Sequence, residues 1–209
     1  MNKEKIKLSK LSKIATIIGI SISSFGLLLY ITPYIFKDSI NSGIKEVAKS
    51  YVKTDVQFKD IDISFFKHFP HLTVTLENTF IKGSAPYPQE NLIEAKEIGL
   101  GIDLTSIFGE KISFNRLYIN EANINLKIDS LGKNNFDIMI PTEEAEKKNE
   151  SNLALELQNF NIKNSNFLYN DNRSKVHLNL NQMNYNGIID FTKNVLSLNA
   201  KTEIKNVLF

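Results

Sequence analysis

The 209-residue chain contains no cysteine. Disulfide frameworks, Cys-ligated zinc, iron–sulfur clusters and thiol nucleophiles are therefore excluded together. No serine sits in a Gly-x-Ser-x-Gly setting, and no glycine-rich phosphate loop precedes a helix. Of the three histidines, His68 and His71 stand three apart but flank Pro70 between strand patterns, with no third ligand of matched spacing. His177 alternates out of the Val176–Leu178 face and reads as solvated. Glu143, Glu144 and Glu146 fall in a charged stretch and do not form a positioned pair. These absences predict no catalytic residue, no metal and no cofactor, hence a protein that is not an enzyme.

Charge is also scarce in one place. Lys3, Lys5, Lys7, Lys10 and Lys13 oppose only Glu4 in the first 36 residues, so the net charge of +2 leaves the rest of the chain slightly acidic. Such a body has no electrostatic footprint for a phosphate backbone, and nucleic acid is not expected as a partner. From Ile14 to Phe36 there are 23 residues without a charge. As a helix this run extends about 35 Å at roughly 1.5 Å per residue, enough for a hydrocarbon core of ~30 Å. The run predicts a transmembrane anchor carried by Ile14, Ile18, Ile22, Phe25, Leu28, Leu29 and Ile31, with Tyr30 and Tyr34 at the far interface. The five lysines then place the N-terminus in the cytoplasm and the chain from about Lys37 onward across the membrane. A cleavable signal peptide would have an apolar stretch of about 7–15 residues and a small-residue cleavage site. Here the run is longer and no Ala-x-Ala triplet follows it.

Phe36, Ile40, Ile44, Val47 and Tyr51 lie on one helical face, which predicts an amphipathic helix over 37–53 that either lies on headgroups or caps a sheet. After Thr54 the period becomes two. His71–Glu77, Ile98–Leu104 and Asn123–Asp129 alternate strictly and read as half-buried strands. Phase slips at Lys59–Asp60 and Asn115–Arg116 read as β-bulges that curve the sheet. Turn signals stand at Gly83–Pro88, Gly109, Gly132 and Asn186–Gly187. The stretch 140–152 is charged and without apolar period, a linker. Alternation resumes over 153–209 through Leu153–Leu157, Phe160–Ile162, Phe167–Tyr169, Val176–Leu180 and Leu196–Ile204.

No amphipathic helix follows residue 51, so the strands must cover one another or leave their apolar face uncovered. That face comprises Val74 and Leu76, then Ile98, Leu100, Ile102 and Leu104, then Ile124, Leu126 and Ile128. Thr73, Thr75, Asp103, Asn125 and Lys127 would face water. From pattern alone an ordinary closed sandwich core is the commoner outcome. The sequence stops at Asn206–Phe209 in strand-like residues, which predicts either a continuation past Phe209 or an unprotected edge.

Three segments carry a family resemblance. Ile63–Val74 (ISFFKHFPHLTV) resembles the strand, Phe-Pro-x-Leu, strand segment that follows the anchor in AsmA-family proteins. Leu117–Leu126 (LYINEANINL) is similar to that family's strand pair, with Ala122 where proline is common. Gly132–Ile138 (GKNNFDI) is similar to its Gly-Lys-x-Asn-Trp-Asp-Ile turn, with Phe136 where tryptophan is common. The resemblance covers roughly 10–139 and implies a mainly β fold of β-taco type. In it a cytoplasmic basic tail with a transmembrane helix (1–36) and the amphipathic helix (37–53) precede a curved antiparallel β-sheet (54–139, continued at 153–209) that forms an open groove. It further implies a single-pass protein of the cell inner membrane with a periplasmic body. Its partners would be phospholipid acyl chains held along the groove residues above, and outer-membrane or envelope proteins, and its role would be phospholipid transport or outer-membrane lipid homeostasis. The alternative is a non-transporting envelope scaffold that assists outer-membrane protein assembly, or an anchored sensor domain.

Overall fold

The computed structural model describes residues 2–68, 71–141, 153–190 and 197–208. A single helix, α1 (Asn2–Tyr51), takes in both the apolar run and the amphipathic segment, so the two helices expected from the sequence are one. The chain divides into two units, Met1–Lys37 and Asp38–Phe209.

In the first unit Ile14, Ile17, Ile18, Ile20, Ile22 and Leu27 are between 53% and 68% exposed, and Ile31 is 41% exposed. Among the described residues no helix is long and apolar enough to cross a membrane, so the expected transmembrane helix has no support at this level. Phe25, Leu28 and Leu29 of the expected anchor, and Lys3, Lys5, Lys7 and Lys10, lie outside the described side chains.

The second unit is built on one sheet. Its strands are β1 (Val56–Gln57), β2 (Asp60–His68), β3 (His71–Lys82), β4 (Asn91–Ile102), β5 (Ile112–Ile128), β6 (Leu153–Asp171), β7 (Val176–Asp190), β8 (Ser197–Glu203) and β9 (Asn206–Leu208). The order is β1-β3-β4-β5-β6-β7-β8, with β2 also on β3 and β9 also on β7. β5 and β6 run parallel and the remaining pairs antiparallel, so the sheet is mixed where a purely antiparallel one was expected. A parallel neighbour requires the chain to return to the starting end, and 129–152 supplies the return. The charged part of that linker, 142–152, lies outside the described residues.

The first part of the return is well tied down. Asp129 Oδ1 accepts from the N–H groups of Leu131 and Lys133, and Gly132 takes φ +85°. Asn135 is wholly buried. Its side-chain amide donates to Asn125 O and its Oδ1 accepts from Lys127 N, both at 2.8 Å. Beyond it Ile138 O accepts from Lys53 N, Ile140 N donates to Tyr51 O, and Ile140 packs on Val47 and Tyr51. The segment that resembles a family turn thus straps β5 to the end of α1.

Of the expected slips, Asn115 is a bulge at which Gly101 pairs with Arg116 but Ile102 with Phe114. Lys59 stands at the break between β1 and β2, which stay in one register on β3. Asn186–Gly187 is not a turn: it lies within β7, and the chain reverses instead at 172–175.

A further irregularity crosses the whole sheet. Asn78, Glu121, Asn164 and Gln182 have φ of 49°, 50°, 48° and 51°, one each in β3, β5, β6 and β7. The pairs Glu77↔Glu97, Thr79↔Ala95, Ala95↔Ala122, Asn120↔Lys163 and Ser165↔Met183 place them on one transverse line that passes β4 at Lys96. Each strand changes phase there. Two successive polar residues face one side, such as Glu77 with Asn78 or Lys96 with Glu97, and a buried residue faces the other, namely Thr79, Ala95, Ala122, Ser165 or Met183. Four of these five are small, so the inner side can close at the line while the apolar face continues on either side of it.

Candidate functional site

The inner face of the second unit carries the apolar side chains. On one side of the line Ile61, Ile63, Val74, Leu76, Leu100, Ile102 and Phe114 form a core into which α1 inserts Ile44, 2% exposed. Full burial of a side chain the size of Phe114 contributes about 1.5–3 kcal/mol. Astride the line Ala95, Ile98, Ile119, Ala122 and Ile124 form a second cluster, flanked by Ile162 and Phe167.

Most of the residues expected to line an open groove are buried. Val74, Leu76, Ile98, Leu100, Ile102 and Ile124 are all buried by the chain's own packing. Leu126 and Ile128 are half-buried, and Leu104 is exposed in a short 3-10 helix (Leu104–Phe108) that follows β4. A helical lid does exist at this end: it is the last turns of α1. Thr73 and Thr75 are fully buried where solvent was expected, because the Tyr118 ring lies over Gly99 and Gly101 and stacks on His68 at 4.0 Å. Asp103, Asn125 and Lys127 are half-buried.

Toward β7 the inner face opens. Phe160, Ile162, Phe167, Leu178 and Leu180 are half-buried, and Val207 on β9 is 42% exposed. Register places Phe167 opposite Leu180 and Leu180 opposite Val207, a continuous apolar row over three strands. These strands alternate as clearly in the sequence as β3 to β5 do. The signal was present, but alternation does not say which strands are covered.

A cleft of about 770 Å³ lies between the end of α1 and β1–β2. Val52, Val56, Phe58 and Ile61 contribute its apolar part, and Lys45, Lys49, Lys53 and Lys59 its charged part, with Asp55 and Asp60. Phe58 also packs against the first core, and Lys45 Nζ stands 6.0 Å over its ring. An apolar floor beside cationic groups suits an amphiphile with an anionic head.

Among the described residues no group of three or more His, Asp or Glu side chains could hold a metal ion. His177 is exposed. Burial, and then the charges of Lys67, Lys163 and His71, hold His68 below its ordinary pKa, against the opposing pull of Glu97. Burial pushes Glu97 up, but hydrogen bonds from Lys67 and Asn120 prevail and its pKa is lowered.

The sequence profile of the AsmA family matches residues 5–201. No curated protein and no solved structure matches the chain.

Proposed function

The chain belongs to the AsmA family, and from that membership together with the one-sided sheet we propose that it is an envelope protein which holds lipid acyl chains on the inner face of β6 to β9. The observation that carries this reading is the gradient of burial. The same apolar face is sealed at β3 and β4, where Val74 is 1% exposed, and open at Val207, 42% exposed. Apolar area left in water costs about 25 cal/mol per Å², and hydrocarbon placed on the open strands removes that cost. The reading includes an N-terminal membrane anchor. Its support is the uncharged run 14–36 behind five lysines and the exposure of the described isoleucines, an apolar surface all round the helix. With the body on the periplasmic side of an inner membrane, acyl chains would reach the open strands from the bilayer. The cleft beside Lys45, Lys49, Lys53 and Lys59 would pass the anionic heads. The role is binding and movement of phospholipid, with no bond made or broken.

Photo-crosslinking tests the reading with a control built into one strand. A benzophenone side chain at Leu180, on the inner face, is expected to capture phospholipid in cells, identified by mass spectrometry. The same group at Asn179 points to the opposite face and is expected to capture none. Equal lipid capture at both positions, or capture of protein alone at Leu180, would sink the lipid reading, and the latter result would favour a scaffold.

A further inference from the structure

The outer face carries a cavity of its own, about 390 Å³, between the end of the β2–β3 hairpin and strands β5 to β7. Lys67, His68, His71, Arg116 and Lys163 all line it, and Asn161 lies on its floor. Register explains the convergence. Tyr118, Asn161 and Asn186 make one row across three strands, with Arg116 beside Asn159 in the row on one side and Lys163 beside Asn120 in the row on the other. The hairpin brings the remaining groups from above, anchored by the His68–Tyr118 stack and by Lys67 Nζ at 2.9 Å from Glu97.

Lys67 is the cation that the local carboxylates serve, since Asp62 and Glu77 also stand 3.9 Å from it. Among the described residues no carboxylate lies within 4.0 Å of Arg116 or Lys163. Like charges on one sheet face repel, and the effect is felt locally in His68, which Lys67, Lys163 and His71 all disfavour as a cation. A slightly acidic body thus concentrates uncompensated positive charge in one concave place, with a guanidinium fork, an ammonium and amide groups around it. That donor set matches the tetrahedral oxygens of a phosphate group.

We propose that this outer cavity, framed by Arg116, Lys163 and the His68–Tyr118 pair, is a binding site for a phosphate group, free or on a lipid head. It lies on the face opposite the apolar row and stands independently of the acyl-chain reading.

The test uses the full chain in a neutral detergent and compares thermal unfolding in phosphate with unfolding in chloride at matched ionic strength. Phosphate is expected to raise the Tm of the parent. Arg116→Gln with Lys163→Gln is expected to weaken phosphate binding at least ten-fold while leaving the phosphate-free Tm unchanged or higher, because a repulsion is relieved. Lys201→Gln, on exposed β8, is expected to behave as the parent. Asn161→Asp supplies an internal anion and is expected to raise the phosphate-free Tm and abolish the response, which keeps the test decisive if the double variant unfolds. A response to inorganic phosphate identifies the free anion as sufficient. A response only to short-chain phosphatidylglycerol below its micellar concentration identifies the lipid head. No response to either, or an unchanged response in the variants, overturns the proposal.

Discussion

The transverse line of left-handed residues makes opposite predictions from an ordinary strand, and Gln182 is the place to measure it. Its φ is 51°, its side chain is exposed, and its backbone N–H donates to Asn166 Oδ1 at 3.1 Å, a bond that substitution of the side chain leaves intact. In a regular strand, valine at such a position stabilises by up to about 1 kcal/mol and glycine costs roughly 0.5–1 kcal/mol. At φ near +50° a β-branched side chain meets the backbone, and the strain is of order 1–3 kcal/mol. Glycine has no Cβ to clash, and the strain it relieves, about 1–2 kcal/mol, offsets its greater freedom in the unfolded chain. We therefore expect Gln182→Val to destabilise by about 1–3 kcal/mol and Gln182→Gly to be neutral or stabilising by up to about 1 kcal/mol. Asn179, three residues earlier on β7 and paired with Leu168 in regular register, is the control at which valine should not destabilise. Urea unfolding of the full chain in detergent, followed by far-UV circular dichroism with the slope held as a check, reads the differences. If valine ranks above glycine at 182 as it does at 179, the crease is not a left-handed one and the account of the sheet's phase change is wrong.

Two further outcomes follow from individual side chains. Asn135→Ala removes the acceptor of Lys127 N–H and the donor to Asn125 O inside a fully buried site, and should cost about 1–3 kcal/mol in the same urea assay. Asn135→Asp should not restore it, since Asn125 O would then face a second acceptor. For His68, the lowered folded pKa means the unfolded chain binds the proton more readily, so stability is fully present above the unfolded value near 6.5 and declines as pH falls through it toward the folded value. Ring resonances titrated by NMR should give His68 a lower midpoint folded than in urea. Glu97→Gln should lower it further, and a midpoint at or above the unfolded one contradicts the burial and charge assignment.

The strand pattern itself was legible in the sequence, and so was the bulge at Asn115, because an apolar period of two records which side of a sheet each residue takes. It does not record which strand lies next door. That is why the parallel β5–β6 pair and the packing of Ile44 into one core with Val74 and Leu100 were beyond reach, whereas the helical face of Ile44, Val47 and Tyr51 was evident. The crease was half legible. The polar doublets Glu77–Asn78, Lys96–Glu97, Asn120–Glu121, Lys163–Asn164 and Asn181–Gln182 all interrupt the alternation. Only the register shows that five interruptions fall on one line. Thr73 and Thr75 misled for another reason. Glycines at 99 and 101 let the Tyr118 ring lie flat across β4, and a missing side chain leaves no mark on a hydrophobic pattern.

Val74, Leu76, Ile98, Leu100, Ile102 and Ile124 are buried, whereas the inner side chains of β6 and β7 are half-buried. An apolar face sealed along its whole length would be an ordinary core, with nothing for a ligand to do. Here Ile44 of α1 packs into the core formed by β2 to β5, while Val47 and Tyr51 pack on Ile140. On β6 and β7 Phe160, Ile162, Phe167, Leu178 and Leu180 are half-buried on the inner side, and the outer side of the same strands carries Asn161, Lys163 and Asn186 instead. One sheet thus presents hydrocarbon-compatible and phosphate-compatible surfaces on opposite faces of the same strands, and alternation alone keeps the two chemistries apart. A substitution that shifts the β6–β7 register by one residue would exchange them, so loss of lipid crosslinking at Leu180 together with its appearance at Asn179 is the signature of register failure and not of a missing site.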